Sequence, residues 1–246
     1  MGESTLKGKN PVAHMSTRYG YLAAVLALVS FFAIQQGVLG KGWPVATIVV
    51  LWCTSATVML HLGYGENDHT CFGKRENGRV PLMYWIVFLP YLIPLWCRQF
   101  ALTVLSREKK YAQLLDGISI GRRPVRTSDI PQGTEVCVDL AAEFPASRAE
   151  LKCGGTYVSF PILEASYRSC EDLNACIDSL PESGIYIHCA QGHGRTGFFA
   201  CALLLRRGRV KTLPEALELI AKVRPGVKLR KAQVAFLEAN TVCLKA

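Results

Sequence analysis

The chain is poor in acidic residues and lacks several of the patterns that would assign it to a common class. Its 246 residues include 28 Lys and Arg but only 19 Asp and Glu, so its formal net charge is +9. The basic residues do not form a stripe interleaved with aromatic residues, which argues against nucleic acid as a partner. The sequence also has no internal repeat and no long low-complexity segment.

Cysteine is plentiful, yet the spacing that zinc sites require is missing. None of the ten cysteines is grouped with others at the intervals of a zinc motif, and Cys170 and Cys176 have no matching pair elsewhere. We therefore predict no metal and no organic cofactor. Nine of the ten cysteines lack any context for chemistry and are typical of small buried hydrophobic residues.

Charged residues are absent from long stretches of the first hundred residues. Segments 19–39 and 44–62 contain none, and each is about as long as a bilayer core is thick. A third apolar segment, 82–97, is shorter, contains Pro90 and Pro94, and stops at Arg98. Two charge-free segments so close together predict a membrane region over residues 1–106, followed by a globular domain over 107–246. A buried soluble helical core is the alternative.

The side of the membrane depends on the third segment. Basic residues before the first segment and after the second favour a cytoplasmic N-terminus and a cytoplasmic 65–81 loop. If segment 82–97 also crosses, the globular domain lies outside, and if it is re-entrant or interfacial, the domain stays inside. We expect an integral membrane protein with its globular domain on the cytoplasmic face, since a reactive thiolate also favours a reducing compartment.

The most informative segment of the chain is HCAQGHGRTG, residues 188–197. Cys189 stands six positions before Arg195, after a short apolar strand pattern and before an apolar helix pattern. Backbone N–H groups and a helix N-terminus at such a turn form a concave anion site. Positive potential there favours a thiolate, lowering a cysteine pKa from about 8.5 toward roughly 3.5–7.5. The segment predicts a phosphate cradle with a nucleophilic sulfur beneath it.

This segment resembles the signature loop of the cysteine-dependent protein tyrosine phosphatases, in the form typical of the dual-specificity branch. Weaker similarities surround it in the expected order, at residues 117–122, 136–145, 157–164 and 224–237. Together they cover about residues 112–246, and they leave 1–106 unexplained. The resemblance implies an α/β fold with a small central, largely parallel sheet flanked by helices, here preceded by hydrophobic membrane helices.

The secondary-structure pattern is consistent with that fold. We predict strands at 118–121, 135–140, 156–160 and 184–188. We predict helices at 169–180, 196–207, 213–223 and 230–243. Thr212 and Glu215 form a capping-box pattern at the start of the third of these helices, and Pro225-Gly226 follows its end.

The resemblance also implies roles for individual residues. Cys189 is the expected nucleophile, Arg195 the phosphate clamp and Thr196 a partner of the thiolate. The expected phosphate-binding residues of the loop are Ala190, Gln191, Gly192, His193, Gly194 and Arg195. His188 is expected to orient the loop from below and Gln233 to lie near the nucleophilic water, whereas His193 could contact substrate or simply be solvated.

The general acid is the one departure from the family pattern. The position that normally holds an aspartate, a few residues after Pro161, is Glu164 here. Its side chain is one methylene longer but can transfer the same proton, so we predict Glu164 as the acid. Glu171 and Asp172 are alternatives in the next predicted helix, and Asp139 is expected to be structural because it lies in a core strand.

These residues predict a membrane-anchored phosphatase that forms a cysteinyl-phosphate. Phosphotyrosine, phosphoserine and phosphothreonine proteins are the default substrates that the resemblance implies. A phospholipid headgroup is the alternative, because the domain is tethered to a membrane, although the loop interior carries no Lys. A membrane-bound phosphate-recognising module with little turnover is a second alternative. It is supported only by the glutamate at the acid position.

Overall fold

The computed structural model describes residues 11–35, 44–152 and 154–245. It divides into two compact units. The first contains the described residues up to Gly73 together with Val80–Ala101, and the second contains Lys74–Arg79 together with the chain from Leu102 onward. Residues 36–39, the end of the first predicted apolar segment, lie outside the described residues. The predicted domain boundary after residue 106 stays a prediction.

Three long apolar helices begin the chain. They are α1 (Ala13–Gln35), α2 (Pro44–Gly65) and α3 (Leu82–Leu105). Each is long and apolar enough to cross a membrane by length and composition. The third helix runs eight residues past the predicted end at Cys97, because the single charge of Arg98 interrupts an apolar run but not the hydrogen bonds of a helix.

Aromatic contacts connect these helices within the first unit. The ring of Tyr19 in α1 lies 5.3 Å from that of Tyr64 in α2 and 6.1 Å from that of Tyr91 in α3. The indole Nε1 of Trp52 donates a hydrogen bond to the carbonyl oxygen of Ile86 over 2.7 Å. Many of the large apolar side chains in these helices are exposed, including those of Phe32 and Leu82.

A five-stranded sheet forms the centre of the second unit. Its strands are β1 (Tyr111–Leu115), β2 (Ile118–Arg122), β3 (Val136–Ala141), β4 (Thr156–Ile162) and β5 (Ile185–Cys189). Their order across the sheet is β1-β2-β5-β3-β4. β1 pairs antiparallel with β2, and every other pairing is parallel. The predicted small, largely parallel sheet is confirmed, with β5 at its centre.

Six α-helices accompany the sheet in the part of the chain that the structure describes. They are α4 (Arg148–Leu151), α5 (Cys170–Asp178), α6 (Gly194–Arg206), α7 (Leu213–Val223), α8 (Lys231–Ala239) and α9 (Thr241–Lys245). Helix α6 is the centre of the core, since its side chains from Phe198 to Leu205 are all fully buried. Burying such a continuous apolar surface is the main stabilising contribution to the unit.

Three details differ from the sequence prediction. Strand β1 was not predicted, because its YAQLL sequence is too short and too polar for a clear period-two pattern. The predicted helix 230–243 is two helices that meet at Asn240. A disulfide joins Cys170, at the start of α5, to Cys243 in α9, although neither cysteine has a sequence context that indicates pairing.

Candidate active site

Cys189 lies at the carboxyl end of the central strand. It is the last residue of β5, and α6 begins five residues later at Gly194. The intervening loop is thus held between a buried strand and a buried helix, at the edge of the sheet where parallel strands end. Its thiol is almost entirely enclosed, and the backbone N–H of Gly192 donates to Sγ over 3.3 Å.

The loop has a conformation that requires glycine at one position. Gly192 has a φ of 74°, in the left-handed region, and a Cβ there would collide with the backbone of Gly121 in β2. Arg224 binds the outside of the loop, since its Nε donates to the oxygen of Gly192 over 2.7 Å and its Nη2 to that of Gln191 over 3.1 Å. With these two carbonyls held outward, the loop is fixed by contacts that lie away from the cysteine.

The surroundings of Cys189 favour its thiolate. Burial raises the pKa of the thiol, but the charge of Arg195, the hydroxyl and N–H of Thr196 and the N–H of Gly192 outweigh burial. The pKa of Cys189 is therefore below its ordinary value. Because the thiolate is the reactive form of cysteine, the site prepares a nucleophile.

Arg195 is held in place by a carboxylate that the sequence did not single out. Its Nη1 and Nη2 each donate to one oxygen of Glu143 over 2.6 Å, and Nη1 also donates to the carbonyl of Ile162 over 3.1 Å. A guanidinium has five donors, so three are used within the described residues. The Nε–H and one Nη2–H remain, on the same edge of the planar group, which suits two oxygens of one phosphate.

Glu164 lies in the turn after β4, close to the loop. The charge of its carboxylate contributes to raising the pKa of Arg195. The next residue, Ala165, has a φ of 65°, a conformation that side chains other than glycine rarely adopt. The turn therefore holds a specific shape beside the cradle.

The two alternative acids have other surroundings. Both belong to the first turn of α5, where Asp172 accepts a hydrogen bond from Nε of Arg168 over 3.1 Å and Glu171 is exposed. By contrast, the charge of Glu164 acts on Arg195 of the loop.

The remaining predicted residues are distributed around the loop. Thr196 is buried in the first turn of α6, and its hydroxyl has no hydrogen-bond partner among the described residues. Nε2 of His193 lies 2.7 Å from a carboxylate oxygen of Glu108. The amide of Gln233 donates to the carbonyl of Ser166 over 2.8 Å and accepts from the N–H of Arg230 over 3.0 Å, so it holds the turn that carries Glu164.

Behind the loop lies a buried group of charges, which we call the support layer and define as His188, Glu150, Asp139 and Lys74. Nε2 of His188 is 2.7 Å from Oε1 of Glu150, and Nδ1 is 3.9 Å from Oδ1 of Asp139. Lys74 donates to Oδ2 of Asp139 over 2.5 Å and to the carbonyl of Ala141 over 2.6 Å. All four side chains are fully buried.

Charges within the support layer set the ionisation of its members. Burial lowers the pKa of His188, but the carboxylates of Glu150 and Asp139 and the thiol of Cys137 outweigh it, so the pKa lies well above its usual value. Burial raises the pKa of Asp139, yet Lys74 and His188 hold it well below the usual range. These interactions favour the protonated form of His188, and its expected role in orienting the loop stays a prediction.

Cys137, Glu150 and His188 are also the one trio of the described residues whose potential metal-ligand atoms lie within 4.8 Å of one another. Within this trio, His188 and Glu150 lie 2.7 Å apart as an ion pair. We assign it no metal.

Local sequence patterns did not indicate the residues that hold the predicted site in place. Glu143, Glu150, Arg224 and Lys74 hold the loop, its arginine and its histidine, and each comes from a different part of the chain. No spacing rule connects them, because the fold alone brings them together. Glu143 and Arg224 did stand within segments of family resemblance, which was their only signal.

No protein-family model matches the chain. Solved structures similar to it include Tk-PTP in the active form, with 24% identity over 52% of this chain and 94% of that chain and a TM-score of 0.47. PTPMT1 in complex with PI(5)P has 16% identity over 55% of this chain and 96% of that chain, with a TM-score of 0.48. Human tyrosine phosphatase-like serine/threonine/tyrosine-interacting protein has 12% identity over 56% and 100%, with a TM-score of 0.49.

Proposed function

We propose that the protein is a membrane-anchored phosphatase that hydrolyses phosphomonoesters through a cysteinyl-phosphate. One observation carries the proposal. A cysteine with a lowered pKa lies beneath a loop whose arginine is held by Glu143 so that two of its donors remain for a phosphate. This arrangement offers a nucleophile and an anion clamp to the same phosphorus atom.

The first step transfers the phosphoryl group to sulfur. The thiolate of Cys189 attacks phosphorus, the bond from phosphorus to the ester oxygen breaks, and Glu164 gives its proton to the departing oxygen. Arg195 and the loop N–H groups hold the equatorial oxygens as negative charge develops on them. The products are a cysteinyl-phosphate, a free alcohol or phenol and an ionised Glu164.

The second step returns the enzyme to its starting state. Water attacks phosphorus, the S–P bond breaks, and the carboxylate of Glu164 takes a proton from the water. The hydroxyl of Thr196, which has no hydrogen-bond partner among the described residues, donates to the thiolate as it leaves. His188 stays protonated beneath the loop and takes no part in proton transfer, because its ring contacts buried carboxylates rather than the reacting atoms.

The substrate that we propose is a protein phosphorylated on tyrosine, serine or threonine. The interior of the loop has no Lys, and His193 contacts Glu108. A cradle with so little added positive charge suits a single phosphate on a peptide better than a headgroup with several phosphates.

A phospholipid headgroup is the second candidate, and chain connectivity favours it. Residues that directly follow α3 are bound to the phosphate loop itself, since Arg224 reaches the carbonyl of Lys109 over 3.0 Å and Glu108 contacts His193. The cradle is therefore only a few residues along the chain from an apolar helix, which limits its reach from a membrane.

Substitution of the nucleophile tests the reaction. We expect Cys189→Ser to abolish turnover of a small aryl phosphate and to retain binding of phosphate esters, since the loop and Arg195 are unchanged. Arg195→Lys should be severely impaired, because a point charge cannot replace a planar fork. Cys176→Ser, at a partly buried cysteine of α5, is the matched control. Substantial turnover by Cys189→Ser, or none by the wild type, would reject the enzyme and leave a phosphate-recognising module.

A substrate panel separates the two candidates. Phosphopeptides and short-chain phospholipids are offered at equal concentration to the wild type, and kcat/KM is compared. Preference for phosphopeptides supports the first candidate, and preference for lipids supports the second.

Membrane anchoring is a separate part of the proposal. It is supported by the three apolar helices and by the exposure of their large apolar side chains. We expect the full chain to stay in the membrane fraction at high salt and in alkaline carbonate, and to be released only by detergent. Release without detergent would contradict spanning helices.

A further inference from the structure

Helix α3 is bracketed by two segments that belong to one folded unit. Lys74–Arg79 precede it and Leu102 onward follow it, and both are part of the α/β unit that carries the candidate active site. The chain thus leaves this unit before α3 and returns to it at the end of α3.

The preceding segment is fixed by a buried ion pair. Lys74 is bonded to Asp139 and to the carbonyl of Ala141, with both charged side chains fully buried. Four residues later, the carbonyl of Gly78 accepts a hydrogen bond from the N–H of Ala146 over 2.8 Å. Because separating a buried ion pair leaves uncompensated charges, this segment does not separate from the folded unit at equilibrium.

The following segment is fixed at three points. Nη1 of Arg122 donates to the carbonyl of Thr103 over 3.1 Å, and Nη1 of Arg224 donates to that of Lys109 over 3.0 Å. Glu108 contacts His193 of the phosphate loop at 2.7 Å. These bonds begin within the last turn of α3, so the end of the helix is tied to the same unit as its beginning.

A folded α/β unit cannot be divided by a bilayer, because its loops and sheet edges would place unsatisfied backbone groups in hydrocarbon. We propose that α3 enters and leaves the membrane on the same face, as a re-entrant helix that binds lipid, and that the chain crosses only twice, through α1 and α2. This inference rests on the membrane anchoring proposed above and not on the phosphatase reaction.

Contacts within the first unit support this placement independently. Tyr19 directly follows Arg18, and Tyr64 lies two residues before Glu66. Both rings, which contact each other, therefore lie at the charged end of the α1–α2 pair, where it meets the membrane boundary. The ring of Tyr91, near the middle of α3, lies 6.1 Å from that of Tyr19. In a third full span, the middle of α3 would instead be level with the middle of the hairpin.

The first half of α3 reaches deeper than its middle. Ile86 accepts a hydrogen bond from Trp52, which lies twelve residues before Tyr64 in α2. Pro90 and Pro94 then interrupt the hydrogen bonding of the helix near its centre. A helix that dips toward the hairpin and returns to the boundary accounts for both contacts.

Basic residues identify the face. If the chain crosses twice, the N-terminus, the segment between α2 and α3 and the α/β unit lie on one side of the membrane. Only the α1–α2 connection lies on the other side. The basic residues before α3 on the side of the α/β unit are Lys7, Lys9, Arg18, Lys74, Arg75 and Arg79, whereas the α1–α2 connection has Lys41. The excess of positive charge assigns the larger group to the cytoplasm.

Protease protection of epitope tags in sealed vesicles tests the topology. The full chain carries a tag at its N-terminus, at its C-terminus or between Gly40 and Lys41, in three separate proteins. We expect the two terminal tags to be cleaved or protected together, and the internal tag to behave oppositely. Vesicles of both orientations and a detergent-opened sample provide the controls, and none of these readouts needs phosphatase activity.

Each outcome decides the matter. Terminal tags on opposite sides would overturn the re-entrant placement and make α3 a full span. All three tags on one side would overturn membrane crossing itself, together with the anchoring part of the proposed function. Terminal tags together on the outer face would overturn the cytoplasmic assignment, and a Cys170–Cys243 disulfide trapped in intact cells would agree with that result.

Discussion

The two sides of the phosphate loop differ in what their buried charges are bonded to. In the support layer, Lys74 and His188 face Asp139 and Glu150, so the charges compensate one another. We call the other side the reaction face and define it as Cys189, Arg195, Glu164 and Thr196. There, two N–H groups of Arg195 have no acceptor among the described residues.

This difference separates a scaffold from a binding site. Buried charges that satisfy each other fix a structure, because removing either partner leaves a costly unpaired group. Charges with donors to spare can bind a substrate instead. We therefore expect substitutions on the reaction face to change rate without changing stability, and substitutions in the support layer to do the reverse.

After the loss of the nucleophile itself, the largest effect is expected at Glu164. Glu164→Gln should lower kcat by about 10²–10⁴ for substrates with poor leaving groups, since the amide cannot donate the required proton. An aryl phosphate with a good leaving group should be affected much less. The measurement is kcat for both substrate types, with unfolding monitored in parallel.

Glu171→Gln is the matched control, because Glu171 is an exposed glutamate seven residues along the chain. Equal losses on both substrate types would give Glu164 a structural role. No loss at Glu164 combined with a loss at Glu171 or Asp172 would move the acid into α5.

Removing the lysine of the support layer should have the next largest effect, on stability. Lys74→Met leaves Asp139 buried without its main counter-charge, which should cost about 3–5 kcal/mol. The folded fraction should keep its kcat. All four tryptophans lie before residue 97, so tryptophan fluorescence does not report on this unit, and pulse proteolysis in urea is the suitable measurement.

Arg75→Met controls for the loss of one positive charge, since Arg75 is the exposed neighbour of Lys74. Asp139→Asn combined with Lys74→Met should recover part of the loss, because the uncompensated charge is then gone. Equal stability of Lys74→Met and the wild type would show that the pair contributes nothing.

The third effect concerns the hydroxyl of Thr196. Thr196→Val keeps the shape of the side chain but removes the hydroxyl that we expect to donate to the charged sulfur, an interaction worth about 1.5–3 kcal/mol. The pKa of Cys189 should rise, so alkylation of the thiolate by iodoacetamide should require higher pH. Unchanged alkylation across pH would mean that Arg195 and the backbone alone stabilise the thiolate.

The division between the two sides also explains what the sequence could predict. Cys189, Arg195 and Thr196 lie within eight residues, so local spacing reveals them, and the strong apolar patterns reveal the parallel strands. Lys74 and Glu150 act at a distance of more than thirty residues from His188, and no local pattern encodes such a contact. Strand β1 was missed for a related reason. Its own sequence has only a weak strand pattern, and its pairing with β2, which is a contact beyond the strand itself, stabilises it.

The smallest effect is a pH dependence of stability that belongs to the support layer alone. The pKa of His188 is raised in the folded protein, because nearby carboxylates outweigh the effect of burial. Its contribution is therefore complete below the unfolded pKa of about 6.5 and declines as pH rises toward the folded value. Asp139 has a lowered pKa, so its contribution is present above about pH 3.9 and is lost as pH falls.

From about pH 6.5 upward, the free energy of unfolding should fall by up to roughly 1.4 kcal/mol per pH unit. Urea unfolding followed by pulse proteolysis at several pH values measures this slope. His188→Gln should remove the alkaline decline, while Glu164→Gln, on the reaction face, should leave it intact. A decline that persists in His188→Gln would assign it to another group and break the contrast between the two sides of the loop.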